Sequence, residues 1–207
     1  MTDPRALGTP HGVVHEPVLL LASGSPRRRA LLEAAGIRFQ VHPPDIVEER
    51  APGESAEALV ERLSHAKASA VAERVGPVPA RWVLAADTVV VLGEQVLGKP
   101  RDPEHAVAIL GQLVGRTHRV VTGVTLLPSA GGGAHRTRVE STVQLRAADR
   151  DEIVRYVATG EPLDKAGAYG FQGDGRRFVA ALEGSESNVI GLPMRETLAL
   201  LAAAGAP

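Results

Sequence analysis

Three features of this chain have the residue types and spacing to handle a polyanion: an arginine run behind a turn of small residues, a carboxylate inside an apolar strand, and three lysines. The run is Ser23-Gly24-Ser25-Pro26-Arg27-Arg28-Arg29, directly after the apolar Leu19-Leu20-Leu21-Ala22. Ser25 suits a helix N-cap, and Pro26 a first helical position where its missing N–H costs nothing. The free backbone N–H groups of such a helix start, with the macrodipole behind them, form a site for an anion. Arg27 and Arg28 add forked donors that match phosphate oxygens. The same arginines also read as a solvated first turn. Cations at a helix N-terminus oppose the dipole by a few tenths of a kcal/mol, however, which favours an anion close by.

The carboxylate is Asp87, which interrupts Trp82-Val83-Leu84-Ala85-Ala86-Asp87-Thr88-Val89-Val90-Val91. A run this apolar is the pattern of a central strand covered on both faces. An unpaired carboxylate buried there costs several kcal/mol, so Asp87 must bind a cation, meet a base or change protonation state. The readings are a structural salt bridge or a catalytic or metal-binding role. Of 23 basic residues only three are Lys (Lys67, Lys99 and Lys165). A compact ammonium and a planar guanidinium are not interchangeable at a specific site, so each lysine is a candidate. Lys67 sits beside a helical apolar stripe, where it either borders a cleft or snorkels over the core edge. A hairpin through Leu92-Gly93-Glu94-Gln95 would return Lys99 to the level of Asp87.

The elements that position these groups follow from periodicity and punctuation. Strands are expected over Val18–Ala22, Phe39–Val41, Trp82–Val91, Val120–Leu127, Arg138–Leu145 and Phe178–Leu182, with a β return at Val96-Leu97. Helices are expected from Pro26 to Gly36 (with Ala30, Leu31, Ala34 and Ala35 facing a core), from Ser55 to about Glu73, from Asp102 to about Val114, from Asp149 to Gly160, and from Pro193 onward. Residues 1–17 read as a flexible lead-in and 18–207 as a single domain. Pro43 to Gly53, which holds Glu48, is a Pro- and Gly-rich loop. The stretch Gly160 to Gly173 carries four glycines among polar groups, a loop where backbone approaches a ligand closely. His118 reads as a surface strand residue rather than a base.

Composition narrows the function classes. Hydrophobic residues at 44% and charged residues at 23% fit an ordinary soluble globular protein. A net charge of −1 and 3% aromatics disfavour nucleic-acid binding, which needs a basic stripe with stacking platforms. The absence of cysteine removes disulfides, zinc-thiolate sites and cysteine nucleophiles. No apolar run approaches the ~20 residues of a membrane span, and no basic-then-apolar leader opens the chain, so a cytoplasmic protein without membrane partners is expected.

Taken together, Ser23-Gly24-Ser25-Pro26-Arg27-Arg28, Ala86-Asp87-Thr88-Val89, Gly98-Lys99-Pro100, Gly115-Arg116-Thr117-His118, Leu163-Asp164-Lys165-Ala166-Gly167-Ala168-Tyr169-Gly170 and Val189-Ile190-Gly191-Leu192-Pro193 resemble the Maf family of nucleoside triphosphate pyrophosphatases. The resemblance implies an elongated α/β, Maf/ITPase-like fold with a mixed, bent β-sheet and a deep cleft between two lobes. It implies hydrolysis of a nucleoside triphosphate between the α and β phosphates with a divalent metal, Mg²⁺ or Mn²⁺. By the same resemblance Asp87 is the proton acceptor; Ser23, Arg28, Lys67 and Lys99 bind phosphate; Glu48 and Asp87 hold metal; and Lys165 falls in a matched motif. Arg27, Thr88 and Gln172 match the positions that mark the dTTP/UTP branch. An alternative is a house-cleaning role on modified purine nucleotides such as 7-methyl-GTP, and another is a nucleotide-binding cell-division regulator; a homodimer is also compatible. One departure is Val47, where many members carry an acid, which leaves the implied metal one ligand short of those members.

Overall fold

The computed structural model describes residues 18–78 and 81–206; the lead-in read over 1–17 lies outside the described residues. Among the described residues seven strands form one mixed sheet, β1 (Val18–Leu21), β2 (Phe39–Val41), β3 (Arg81–Leu92), β4 (Gln95–Leu97), β5 (Thr117–Pro128), β6 (His135–Leu145) and β7 (Val179–Glu183). The order is β2-β1-β3-β5-β6-β7, with β4 also on β3. The β1–β2 and β1–β3 pairs are parallel and the others antiparallel. Six α-helices among the described residues accompany the sheet: α1 (Pro26–Ala34), α2 (Ala56–Val75), α3 (Pro103–Leu113), α4 (Arg150–Val157), α5 (Glu186–Ile190) and α6 (Met194–Ala204). Ser55, Asp102 and Asp149 cap α2, α3 and α4 through side-chain oxygens that accept from backbone N–H groups three residues on. Among the described residues no helix is long and apolar enough to cross a membrane.

Strand β3 organises the molecule. From Trp82 to Val91 it pairs with β5, but its other edge is shared: β1 pairs only up to Leu21↔Leu84, and β4 only as far as Val90↔Leu97. From Ala85 to Val89 that edge faces a split in the sheet, out of which β1 runs into α1 and β4 runs into Lys99. Alternation of side chains along β3 then divides its residues between two faces. Val83, Ala85, Val89 and Val91 pack with α2 residues, whereas Leu84, Ala86 and Val90 belong to the clusters of the opposite face. Asp87 therefore points toward α2 and Thr88 away from it.

Helix α2 lies very close to the sheet because Gly123, which pairs with Asp87, has no Cβ; one would stand 2.5 Å from the Val60 carbonyl oxygen. Lys67 is buried at 5% exposure, in line with Leu63, Ser64, Ala68 and Val71 rather than outside the stripe. Two sequence expectations are corrected. Ala30, Ala34 and Ala35 are exposed, because α1 rests on the core through Leu32, with Leu31 half-buried, while its other sides stay in solvent. His118 is not a surface residue: it is 2% exposed, edge-on to Tyr169, beneath the loop that follows α4.

Candidate active site

The split beside β3 opens into a cleft with two compartments. One is lined by Thr88, Val90, Lys165, Phe171, Gln172 and Gly191 among others, apolar side chains interleaved with a few convergent polar groups as in small-ligand sites. The other is lined by Ser23, Pro26, Pro43, Glu48 and Lys67. Ser25, Arg27, Arg28, Lys99 and Asp164 line both. They form the border a ligand occupying both compartments must span.

At the start of α1 the backbone N–H of Arg28 reaches the Ser25 hydroxyl at 3.5 Å, the expected cap. The Arg28 guanidinium is fixed on three sides: Nε donates to the Gly191 carbonyl (2.7 Å), Nη1 to Ser23 Oγ (3.2 Å) and Nη2 to Thr88 Oγ1 (3.1 Å). Of its five N–H donors, one on each terminal nitrogen remains for a ligand in the cleft. Burial pushes the Arg28 pKa down, against the pull of the Asp87 charge. Ser23, itself buried, also accepts from the Ser25 N–H at 3.2 Å. Thr88 Oγ1 lies 2.9 Å from Thr122 Oγ1, so its hydroxyl is held within a side-chain network on the face away from α2. Arg27 reaches across the cleft, Nη1 to Asp164 Oδ2 at 2.7 Å and Nη2 to the Asp164 carbonyl at 3.2 Å. The anion demanded by a cationic first turn is thus met within the chain, at Arg27, by Asp164. Burial would raise the Asp164 pKa, but Lys165 and Arg27 together hold it below the ordinary value.

On the α2 face, Lys67 Nζ lies between two carboxylates, 2.6 Å from Asp87 Oδ1 and 2.8 Å from Glu48 Oε2. Asp87 is 6% exposed and lies under Lys67 rather than lining the cleft. Its second oxygen has no protein partner among the described residues. No group of three or more His, Cys, Asp or Glu that could hold a metal occurs among the described residues. Even so, the two carboxylates that converge on one ammonium are hard oxygen donors, and Mg²⁺ is commonly held by one or two carboxylates with substrate phosphates completing its shell. The donor set fits a divalent ion that arrives with a polyphosphate.

The structure therefore gathers Ser23, Arg27, Arg28, Glu48, Lys67, Asp87, Thr88, Lys99, Lys165 and Gln172 around one cleft. Lys99 is exposed with no ion pair among the described residues, while Lys165 Nζ is held by the Glu161 carbonyl and by Asp164 Oδ1 at 2.8 Å. Three participants escaped sequence reasoning. Asp164 stood in a matched motif without a role, and the unbalanced charge of Arg27 was its one physical signal. The Gly191 carbonyl that anchors Arg28 carries no side-chain signal. Glu161, described further below, read as the edge of a glycine-rich loop.

A family model described as "Maf-like protein" matches residues 18–204. The dTTP/UTP pyrophosphatase of Myxococcus xanthus (strain DK1622) is 54% identical over 190 residues, which cover 92% of this chain and 94% of that protein. The dTTP/UTP pyrophosphatase of Anaeromyxobacter sp. (strain Fw109-5) is 50% identical over 192 residues, covering 91% of this chain and 90% of that protein. Among solved structures, a nucleoside-triphosphatase / dITP/XTP pyrophosphatase from Mycobacterium abscessus aligns over 90% of this chain and 96% of its own with a TM-score of 0.44 and 13% identity, too remote to add to the fold described above.

Proposed function

The chain belongs to the Maf family, and on that premise we propose that it hydrolyses dTTP and UTP to the monophosphate and pyrophosphate. The observation that carries this reading is the two-compartment cleft. One end gathers Arg28, Lys67, Glu48 and the Ser25-capped helix start, while the other offers Gln172 and apolar walls to a base. A nucleoside triphosphate has this same polarity, and its sugar and α-phosphate fall at the shared border.

The two free N–H donors of Arg28, the helix N-terminus and the Lys99 ammonium hold the phosphates and balance charge that grows on the leaving pyrophosphate. Asp87 takes the proton of the attacking water at Oδ2, while Lys67 holds Oδ1 and so orients the carboxylate. The water oxygen bonds to the α-phosphorus and the bond to the bridging α–β oxygen breaks. Because Lys67 and Glu48 cover Asp87, substrate entry must shift that cover before Asp87 meets the water. A divalent ion held by Glu48 and Asp87 would supply further charge neutralisation and a polarised water. Gln172 reads the base edge, since an amide offers both a donor and an acceptor; Thr88 lines the same compartment and Arg27 the border.

The test measures kcat/KM and products for dTTP, UTP, CTP and 7-methyl-GTP, with Mg²⁺, with Mn²⁺ and with a chelator. Thymine and uracil differ by one methyl, which a pocket discriminates by about 1–3 kcal/mol at most, so dTTP and UTP should lie within roughly two decades. CTP, which reverses the donor and acceptor pattern, should be far poorer. Release of inorganic phosphate with a diphosphate would refute α–β cleavage, and a preference for 7-methyl-GTP would refute the pyrimidine assignment.

A further inference from the structure

The segment that carries Phe171 and Gln172 is not held by the cleft it lines. It is wrapped around one carboxylate behind it, that of Glu161 at the start of the 3₁₀ turn Glu161–Asp164. Glu161 Oε1 accepts from the Tyr156 hydroxyl (2.9 Å) and the Gly175 N–H (3.1 Å), and Oε2 accepts from the Asp174 N–H (2.8 Å). Tyr156, fully buried in the core, accepts from the Gly170 N–H at 3.0 Å, so its hydroxyl relays Gly170 to the same carboxylate.

The glycines on either side of Phe171-Gln172 are shaped to this arrangement. A Cβ at Gly170 would stand 2.6 Å from Glu161 Oε1, and one at Gly173, whose φ is +77°, 2.8 Å from Oε2. Gly175 is pressed equally hard, since its Cβ would meet the Tyr156 hydroxyl at 2.5 Å. Three main-chain N–H groups (Gly170, Asp174 and Gly175) thus depend on two side chains, neither of which lines the cleft.

We propose that Glu161 and Tyr156 form the positioning unit that sets base selectivity: they fix the backbone on both sides of Gln172 and act on the substrate only through it. The inference rests on the reading of Gln172 given above. Its chemistry is specific, because a carboxylate offers only acceptors and its three partners are all donors. In Glu161→Gln the amide NH₂ must face a donor, and in Tyr156→Phe the Gly170 N–H loses its acceptor at almost no change in volume. A segment displaced by a fraction of an ångström keeps its apolar contacts but misdirects the Gln172 amide.

The experiment compares wild type, Glu161→Gln, Tyr156→Phe, Gln172→Ala and the Glu161→Gln/Gln172→Ala double variant. Each is assayed for kcat/KM with dTTP and CTP and for inhibition by inorganic tripolyphosphate, which occupies the phosphate compartment alone. Glu161→Gln and Tyr156→Phe should each lower the dTTP-to-CTP ratio by about tenfold, the scale of one displaced hydrogen bond. Inhibition by tripolyphosphate should stay at the wild-type level. On the Gln172→Ala background Glu161→Gln should lower the ratio no further, the signature of residues acting through one another. An unchanged ratio in the two single variants, a loss that adds to that of Gln172→Ala, or a parallel loss of tripolyphosphate inhibition would overturn the proposal. A wild type that does not prefer dTTP to CTP would overturn the functional reading itself, and this inference with it, before any variant is compared.

Discussion

Replacing Asp87 by Asn, Lys67 by Met, and both together separates what the buried ion pair does for the fold from what it does for chemistry. Both side chains are nearly inaccessible, and their charged atoms lie 2.6 Å apart. Breaking such a pair by removing one partner typically costs about 3–5 kcal/mol, because the survivor stays charged and desolvated, whereas replacing both is often close to neutral. The two single losses should differ. Without Asp87, Lys67 still has Glu48 at 2.8 Å, and Glu48 is half exposed, so Asp87→Asn should fall near the lower end, about 3 kcal/mol. Without Lys67, Asp87 has no other partner among the described residues, and Lys67→Met should approach about 5 kcal/mol. The double variant should recover most of both losses, giving a coupling free energy of at least roughly 3 kcal/mol. Urea unfolding at neutral pH measures all three against wild type. Turnover should not recover with stability: Asp87→Asn should lose at least ~10² in kcat as the proton acceptor goes, and the stable double variant should be equally inactive. Additive stability losses within about 0.5 kcal/mol would show that the pair is not energetically coupled, and an active double variant would remove Asp87 from the mechanism.

His118 provides a pH test away from the chemistry. Burial pushes its pKa down to about 4, against about 6.5 when unfolded. The unfolded chain therefore binds the extra proton between those values, and stability is complete above pH 6.5 and falls as pH drops toward 4, by about 3 kcal/mol at most. His118→Gln should flatten stability in that window relative to wild type; an identical slope in the variant would assign the acid loss elsewhere. Asp164→Asn should change thermal stability little, since the Arg27–Asp164 pair is partly exposed and such pairs contribute about 0–1 kcal/mol. It should nevertheless lower KM for dTTP, because Asp164 competes with substrate phosphate for Arg27; a raised KM would mean that Asp164 instead orients Arg27 for the substrate.

The parts of the site that sequence makes legible are those governed by local rules. Ser25-Pro26 announces a helix start whatever surrounds it, and an acid inside Trp82–Val91 announces a buried charge because strand burial follows from composition alone. What stays hidden depends on which elements become neighbours. Lys67 lies one helical face from either solvent or core, and only the close approach of α2 over Gly123 settles it inward, onto Asp87. His118 has the alternation of an ordinary strand residue, and it is buried because the loop after α4 folds over it, a contact 51 residues away in sequence. The most consequential hidden feature is the shared edge of β3. Neither β1 nor β4 betrays that it stops short, yet their two endings leave Ala85 to Val89 without a neighbour on one side. At that vacancy β1 passes into the start of α1 and β4 into Lys99, and residues of both line the cleft. The vacancy also lets consecutive residues, Asp87 and Thr88, serve one cleft from two faces of the sheet, with Asp87 beneath Lys67 and Thr88 on Arg28. A β1 extended by two residues, at the expense of the Ser23-Gly24 turn, would pair with Ala85 and Ala86, narrow the split and carry Arg28 away from Thr88. The small residues that end the first apolar run are therefore as much a part of the site as the charges that follow them.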